Sequence, residues 1–302
     1  MTPVDTDRRS DPISTMTKTR ANAIRWAHPG FASHRRAAGP GVAHGPGSNF
    51  MKPKSTCESI TVWNREGGGS PVITIVTPVL NEEAEIRGFL DHLAGLEGPF
   101  ELIVVDGGST DATAALVREH GKKIHGTVTL LAAPRGRSSQ MNAGARAARG
   151  EVLLFLHADC RIPPDSLRVI AEACSAPGVC GGAFVQACDG AGIVSAACCT
   201  VANTLAARSG LFFGDFGIFV RREVFFAAGG FPAVPYCEDV EFCRSIRRSG
   251  RMGQVDRVIR SSPRRFDRVG RTRLTAVYAL ATVLNRAGIR PRCLERFIVD
   301  RK

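Results

Sequence analysis

Four acidic positions offer chemistry in this sequence: Asp106 in FELIVVDGGSTD, Asp159 in EVLLFLHADC, and the adjacent pair Glu238 and Asp239 in PYCEDVEF. Asp106 and Asp159 each close an apolar run of strand length, and a strand without a polar face has no ordinary reason to finish on a carboxylate. A buried Asp without a partner is costly, so Asp159 must meet water, a donor or a cation. Carboxylates brought together from separate segments repel unless positive charge lies between them. A divalent cation on a diphosphate meets that need, because hard cations take oxygen ligands and commonly keep one or two carboxylates beside phosphate oxygens. Arginines that can grip phosphate in a bidentate way stand at Arg135 and Arg137 in PRGRSSQMN, at Arg244, Arg247 and Arg248 along one helical face, and at Arg264 and Arg265 in SSPRRF. Gly107 and Gly108 let backbone approach a ligand closely. Asp215, in the turn GDF, is a further candidate ligand-binding carboxylate, although a Gly-Asp turn serves structure equally well.

These residues need a frame that gathers them. VITIVTPV (72–79) reads as a strand, and 82–96 as an amphipathic helix with Ile86, Leu90 and Leu93 on one face. FELIVVD (100–106) is a second strand, followed by a helix with Ser109 or Thr110 as its cap. A weaker strand near 128–131, an Ala-rich helix stopping at Gly150 and a strand from Val152 to Leu156 continue the alternation. Strands and helices in turn, with short connections, predict an α/β fold: a mainly parallel, doubly wound sheet with helices on both faces. Ligands gather at the carboxyl ends of such strands, where Asp106 and Asp159 fall.

Charge divides the 302 residues. Residues 1–70 carry 10 Lys and Arg against 5 Asp and Glu, and 244–302 carry 17 against 4, within a net charge of +12. The middle of the chain is consequently acidic. Residues 1–70 have no sustained periodicity and are expected to be disordered; 71–270 are expected to form the folded α/β domain, and 271–302 a basic helical segment. The N-terminus has no apolar core of a secretory signal. The most apolar stretch, 191–207, contains Ser195, Thr200, Asn203 and Thr204 and reads as a helix packed on the sheet, with a membrane-lying helix as the alternative. Ten scattered Cys without a C-x-x-C pair suit reduced thiols packed as small hydrophobes in a cytoplasmic protein.

TPVLNEEAEI, LIVVDGGSTDAT, GRSSQMNAGARAARGEVLLFLHADCRIP and YCEDVEFCRSIRRSG together resemble the family 2 glycosyltransferases, inverting enzymes with the GT-A nucleotide-sugar fold. The resemblance implies that Pro78, Asn81 and Glu82 line the nucleotide pocket, that Asp106 contacts the base or ribose, and that Asp159 holds a divalent metal ion, Mg2+ or Mn2+. It also implies that Asp239 is the base that deprotonates the acceptor hydroxyl, with Glu238 supporting it or the acceptor. Arg135 and Arg137 are the donor-side cations, and Asp215, Arg247, Arg264 and Arg265 serve acceptor or phosphate. The family's usual Asp-x-Asp is here His157-Ala158-Asp159, one carboxylate instead of two. GRSSQMNAGARAARG, FLHAD, GDFGIFVRREVF and SSPRRF further resemble a small bacterial subgroup associated with arsenosugar biosynthesis, which usually has Gln where this chain has Phe216.

Other readings are weaker or remain open. A dinucleotide-dependent oxidoreductase needs G-x-G-x-x-G after the first strand, and TPVLNEEAE has no glycine. An inactive glycosyltransferase-like protein, or a basic protein at a membrane surface or on nucleic acid, stays as the alternative. The aromatic signature of RNA-binding sheets is absent, so no nucleic-acid partner is expected. Peripheral contact with the inner face of the membrane fits the basic ends.

Overall fold

The computed structural model describes residues 73–187 and 193–262, two short strands, Ile24–Trp26 (β1) and Cys57–Glu58 (β2), and the helical positions 277, 280 and 284. From β3 (Ile73–Val79) the chain runs through α1 (Glu83–Leu93), β4 (Phe100–Asp106), α2 (Thr113–His120), β5 (Gly126–Ala132), α3 (Arg137–Ala147) and β6 (Val152–Phe155). It continues with β7 (Cys160–Arg161), α4 (Ser166–Ser175), β8 (Val179–Gln186), α5 (Ile193–Ser209), β9 (Ile218–Arg221), α6 (Arg222–Ala227), α7 (Glu238–Ile246) and β10 (Arg251–Ser261).

The described strands form one sheet in the order β1-β10-β8-β9-β6-β3-β4-β5-β2, with β7 paired to β10. β3 pairs in parallel with β4 and β6, β4 with β5, and β8 with β10. β9 lies antiparallel between β6 and β8. The carboxyl ends of six strands therefore share one edge, and β9 starts from that edge. β1 and β2 pair antiparallel with β10 and β5, so two pieces of the stretch expected to be disordered add strands at the sheet's margins. The rest of 1–70 and the basic stretch from 271, apart from 277, 280 and 284, lie outside the described residues.

The central strands are apolar on both faces because helices cover both. Ile73, Ile75, Leu102, Val104 and Leu154 pack with Ile86, Phe89, Leu90 and Leu93 of α1 and with α4, as one core. Val76, Ile103, Val105 and Leu153 face the other core, with Met141 and Ala145 of α3 and Phe242 and Ile246 of α7. The small residues of α3 let it lie close to the sheet. A Cβ on Gly144 would stand 2.4 Å from Val76 Cγ1 and 2.9 Å from Val105 Cγ2.

Several local expectations shift. The 82–96 helix stops at Leu93, and the strand near 128–131 extends to seven residues. Ser109 and Thr110 do not cap α2, whose flanking residue is Ala112; both are engaged in the turn that precedes it. Cys160, Cys174, Cys180, Cys237 and Cys243 are buried free thiols, and burial pushes Cys174 and Cys243 up to about 12 and Cys180 to about 11. Cys199, by contrast, is disulfide-bonded, which corrects the reading of reduced thiols at that position. Among the described residues, no helix is long and apolar enough to cross a membrane.

Candidate active site

Two loops at the carboxyl edge are laced together by the residues expected to face a nucleotide. Val79 is in register with Asp106, so the β3–α1 and β4–α2 loops leave the sheet side by side. Asp106 Oδ1 accepts the backbone N–H of Ser109 at 3.0 Å and its hydroxyl at 2.6 Å. Ser109 Oγ accepts the N–H of Asn81 at 2.9 Å, and Asn81 Oδ1 accepts the N–H of Thr110 at 2.9 Å. Asn81 sits at φ 52°, a left-handed conformation that Asn tolerates better than most residues. The N–H of Glu82 donates to Thr113 Oγ1 at 2.8 Å. Pro78 is half-buried, one residue from the end of β3. The structure thus brings Pro78, Asn81, Glu82 and Asp106 onto one rim.

The helix α3 fixes that rim to the rest of the site through amides that sequence reading missed. Gln140, 4% exposed, donates from Nε2 to the carbonyls of Val79 and Val105, both at 2.8 Å, so it clamps the ends of the two central strands. Asn142 holds Phe231 twice, donating to its carbonyl at 2.8 Å and accepting its N–H at 2.9 Å. Ser138 Oγ donates to the Pro232 carbonyl at 2.9 Å. Phe231 and Pro232 lie in the loop that leads into α7, so α3 ties the nucleotide rim to the Glu238–Asp239 end of that helix. The quoted run GRSSQMN was the available signal; nothing in it indicated which side chains would turn inward.

Beyond Leu156, the end of β6 meets the turn Gly214–Phe216, which precedes β9, and the first turn of α7. Glu238 and Asp239 are 5% and 7% exposed. Asp239 Oδ2 accepts the N–H of Gly214 at 2.9 Å, while its Oδ1 is buried without a hydrogen-bond partner. A side chain at Gly214 has no room: its Cβ would lie 2.7 Å from His157 Nε2 and 2.9 Å from Asp239 Oδ2. His157 and Asp239 therefore flank the same backbone segment. Asp215 Oδ2 accepts from Gln186 Nε2 at 2.5 Å, and its Oδ1 is also buried and unpartnered.

Burial pushes the Asp239 carboxyl well above the usual carboxylate range, and the neighbouring Glu238 adds to the shift; the Arg137 guanidinium and the Gly214 N–H oppose it. Asp215 is raised by burial, offset first by the Gln186 hydrogen bond, then raised again by Asp159 and lowered by Arg137. Asp159, Asp215, Glu238, Asp239 and Arg137 are thus within electrostatic reach as one group. Arg135 lies two residues before Arg137 in the exposed loop after β5. A carboxylate-rich pocket with one arginine at its lip suits the reception of a cation together with an anionic leaving group.

Arg247 does not join them. It follows the last residue of α7, about 13 Å of helix from Glu238. That end packs near the amino end of β8, where Cys180 Sγ approaches the Ile246 carbonyl at 3.8 Å. The spacing of Arg244, Arg247 and Arg248 predicted a shared face, but distance along the helix removes Arg247 from the pocket. Arg264 and Arg265 lie outside the described residues. Ser262, two positions before Arg264, donates its N–H to the Asp159 carbonyl at 3.0 Å.

The residues fit a divalent cation only as a shared ligand. Asp159 lies within electrostatic reach of Asp215 and Asp239, whose Oδ1 atoms are buried without a hydrogen-bond partner. No three His, Cys, Asp or Glu side chains among the described residues stand in ligand geometry, so diphosphate oxygens would have to complete the shell.

Residues 74–223 match the family described as Glycosyl transferase family 2. They form a family 2 glycosyltransferase domain. A mannosyltransferase from Pyrobaculum calidifontis, solved with GDP-Man and Mn2+, superposes with a TM-score of 0.58 at 22% identity, over 76% of this chain and 68% of that one. Together with the mixed sheet, this makes the fold GT-A. The undecaprenyl-phosphate 4-deoxy-4-formamido-L-arabinose transferase of Aeromonas hydrophila is 31% identical over 110 residues, 34% of this chain and 33% of the relative. The dolichyl-phosphate beta-glucosyltransferase of Drosophila melanogaster is 33% identical over 129 residues, 38% of this chain and 39% of the relative. The chain spans between a third and two fifths of the length of these relatives.

Proposed function

We propose that this protein is an inverting glycosyltransferase that moves a sugar from a nucleoside-diphosphate donor to an acceptor hydroxyl, with Asp239 as the base. The observation that supports this reading is the buried Asp239 Oδ1 without a hydrogen-bond partner, within electrostatic reach of Glu238, Asp215 and Arg137. A carboxyl raised by burial and by Glu238 is a stronger proton acceptor than an ordinary Asp, which suits removal of a hydroxyl proton as the acceptor attacks. Gly214 N–H holds Oδ2, and Oδ1, buried without a hydrogen-bond partner, is the oxygen assigned to take the proton in this reading. Asp215 orients the acceptor through a hydroxyl, and Arg137, with Arg135, meets the phosphates of the leaving group. When bound, a divalent cation held by Asp159 and by diphosphate oxygens would offset the charge that develops on the departing nucleotide.

The structural neighbour solved with GDP-Man and Mn2+ supports a nucleotide-sugar donor and a metal-assisted reaction. The matched relatives are named for undecaprenyl phosphate and dolichyl phosphate, which supports a protein working peripherally at a membrane surface. An arsenosugar acceptor is the narrower reading; it rests on the resemblance of GRSSQMNAGARAARG, FLHAD and GDFGIFVRREVF, and Phe216 departs from it.

Asp239→Asn tests the central assignment. Donor affinity by calorimetry, with manganese present, should stay within about threefold, while transfer falls by at least about a hundredfold, the typical contribution of a positioned base. Unchanged turnover would remove Asp239 from that role.

A further inference from the structure

We infer that Asn203 of α5 is a positioning residue for Asp215, acting through Gln186 and backed by Gln254. This rests on the proposed role of Asp215 in holding the acceptor, and names what fixes that carboxylate in place. β9 accompanies β8 only at Gly181 and Gly182, because the chain before Ile218 turns away at Gly214–Phe216. Beyond that point β8 keeps β10 on one side, where the N–H of Ala187 reaches the Ile259 carbonyl at 2.8 Å. Peptide groups alternate in direction along a strand, so those of Gln186 face the side that β9 has left. Asn203 fills that side. Its Oδ1 accepts the Gln186 N–H and its Nδ2 donates to the Gln186 carbonyl, both at 2.9 Å, so one side-chain amide stands in for a strand.

The amides form a series with a fixed direction. A backbone carbonyl can only accept, so the contact of Gln254 with the Phe184 carbonyl at 3.1 Å identifies its nitrogen. That nitrogen also reaches Asn203 at 3.2 Å and must find an oxygen there, which is Oδ1. The two peptide groups of Gln186 independently require the same orientation of Asn203. Gln186 Nε2 then donates to Asp215 Oδ2 at 2.5 Å. The series thus runs from Gln254, 2% exposed in β10, to a carboxylate oxygen of the Gly214–Phe216 turn.

A cap for the end of β8 would need only the two bonds between Asn203 and Gln186. The series continues to Asp215, whose Oδ1 is buried without a hydrogen-bond partner. Leaving such an oxygen unsatisfied costs stability, and a hydroxyl donor from the acceptor would offset that cost. With Gln186 held at both peptide groups, its side chain starts from a fixed point and Oδ2 is committed. Oδ1 is then the oxygen left for the hydroxyl in the proposed reaction.

Two arms test this. In side-chain amide NMR spectra, the Gln186 Nε2 protons, identified by their loss in Gln186→Leu, should lie downfield in the parent chain because they bond a carboxylate. Asn203→Ala should move them toward the position of a solvated amide, and so should Gln254→Met, which keeps the buried volume. The second arm uses GDP-mannose with manganese as the donor probe and glycerol as the acceptor probe. The ratio of glycerol transfer to donor hydrolysis should fall about tenfold in Asn203→Ala, the worth of one hydrogen bond to a charged group. Gln186→Leu alone and combined with Asn203→Ala should give the same ratio, since a residue that acts through another adds nothing once that other is gone. An unmoved Gln186 resonance overturns the inference. A moved resonance or a lowered unfolding temperature with an unchanged ratio also overturns it, and makes Asn203 a strand cap alone. A parent chain that does not turn over GDP-mannose counts against that donor, while the resonance decides by itself whether Asn203 positions Gln186 on Asp215.

Discussion

Asp239 is expensive for the protein to keep ionised, and that cost has a measurable sign. Burial and Glu238 raise its carboxyl in the folded state, so the folded chain holds a proton there at pH values where the unfolded chain has lost it. Stability from this group falls as pH rises from the ordinary carboxylate range, about 3.9, through the raised folded value. Asp239→Asn removes the ionisation and keeps an oxygen for the Gly214 N–H. Its unfolding temperature at neutral pH should therefore rise, by about 2–4 °C for each kcal/mol recovered, while transfer is lost. With Asp239 as the proposed base, turnover should have an acid limb displaced above the ordinary carboxylate range, and a limb within that range would point to another base. Gln186 yields a second prediction. Its amide holds Asp215 Oδ2, and its backbone is bonded to Asn203. Gln186→Leu should raise the acceptor KM by roughly tenfold, from the loss of one hydrogen bond to a charged group, and leave donor affinity unchanged. Asp106 and Asp159 stood out in the sequence because each carboxylate follows an apolar strand run, whereas Asp239, in the acidic first turn of a helix, was singled out only through the family resemblance. Gln140, Gln186 and Asn203 were not, because an amide within a helix or at a strand end has the same appearance whether it faces water or a carbonyl.

At the scale of elements, α3 is the piece on which the site's assembly depends. It clamps two strand ends through Gln140 and the Phe231–Pro232 loop through Asn142 and Ser138. Its approach to the sheet leaves no space beside Val76 and Val105. Gly144→Ala should cost about 1–3 kcal/mol despite the better helix propensity of alanine, since a Cβ would overlap both valines. Chemical denaturation would show it; an unchanged midpoint would mean that the helix can shift outward. Asn142→Ala should lower turnover without weakening donor binding, because it frees the loop before α7 and leaves the nucleotide rim in place. β3, β4 and β6 were legible from their continuous apolar runs, and β5 more weakly; the parallel pair β8 and β10 was not read, since VCGGAFVQ and RMGQVDRVIRS interrupt their apolar residues with glycine and charge. β9 was not recognised as antiparallel, since four residues, IFVR, carry no signal of direction, and direction is set by the long passage through β8 and α5. Arg247 shows the matching limit for helices: spacing gives a face, whereas position along the axis decides which end of the sheet a side chain reaches.

For the whole molecule, the pocket gathers acidic groups from β6, the Gly214–Phe216 turn and α7 at the common edge of six parallel-ended strands, and this should govern how the domain responds to its ligands. Without a cation and a diphosphate, Asp159, Asp215 and Asp239 repel one another, and Asp215 and Asp239 are both raised. Stability contributed by the pair should decline as pH rises through their folded values. Asp165 acts in the opposite sense, because Arg257 holds it below the usual range at 2.8 Å; its contribution is lost only as pH falls below about 3.9. The ligand-free chain should accordingly unfold at a lower temperature at pH 8 than at mildly acidic pH. A nucleoside diphosphate with manganese, present at a hundred times its dissociation constant, should stabilise by about 2.7 kcal/mol, or roughly 5–11 °C. The gain should grow with pH, since cation binding is strongest when the carboxylates are ionised. In Asp159→Ala, the increment due to manganese should disappear while that due to the nucleotide alone persists. Equal increments with and without manganese in the parent chain would show that the carboxylates converge for a purpose other than holding a metal-bound diphosphate.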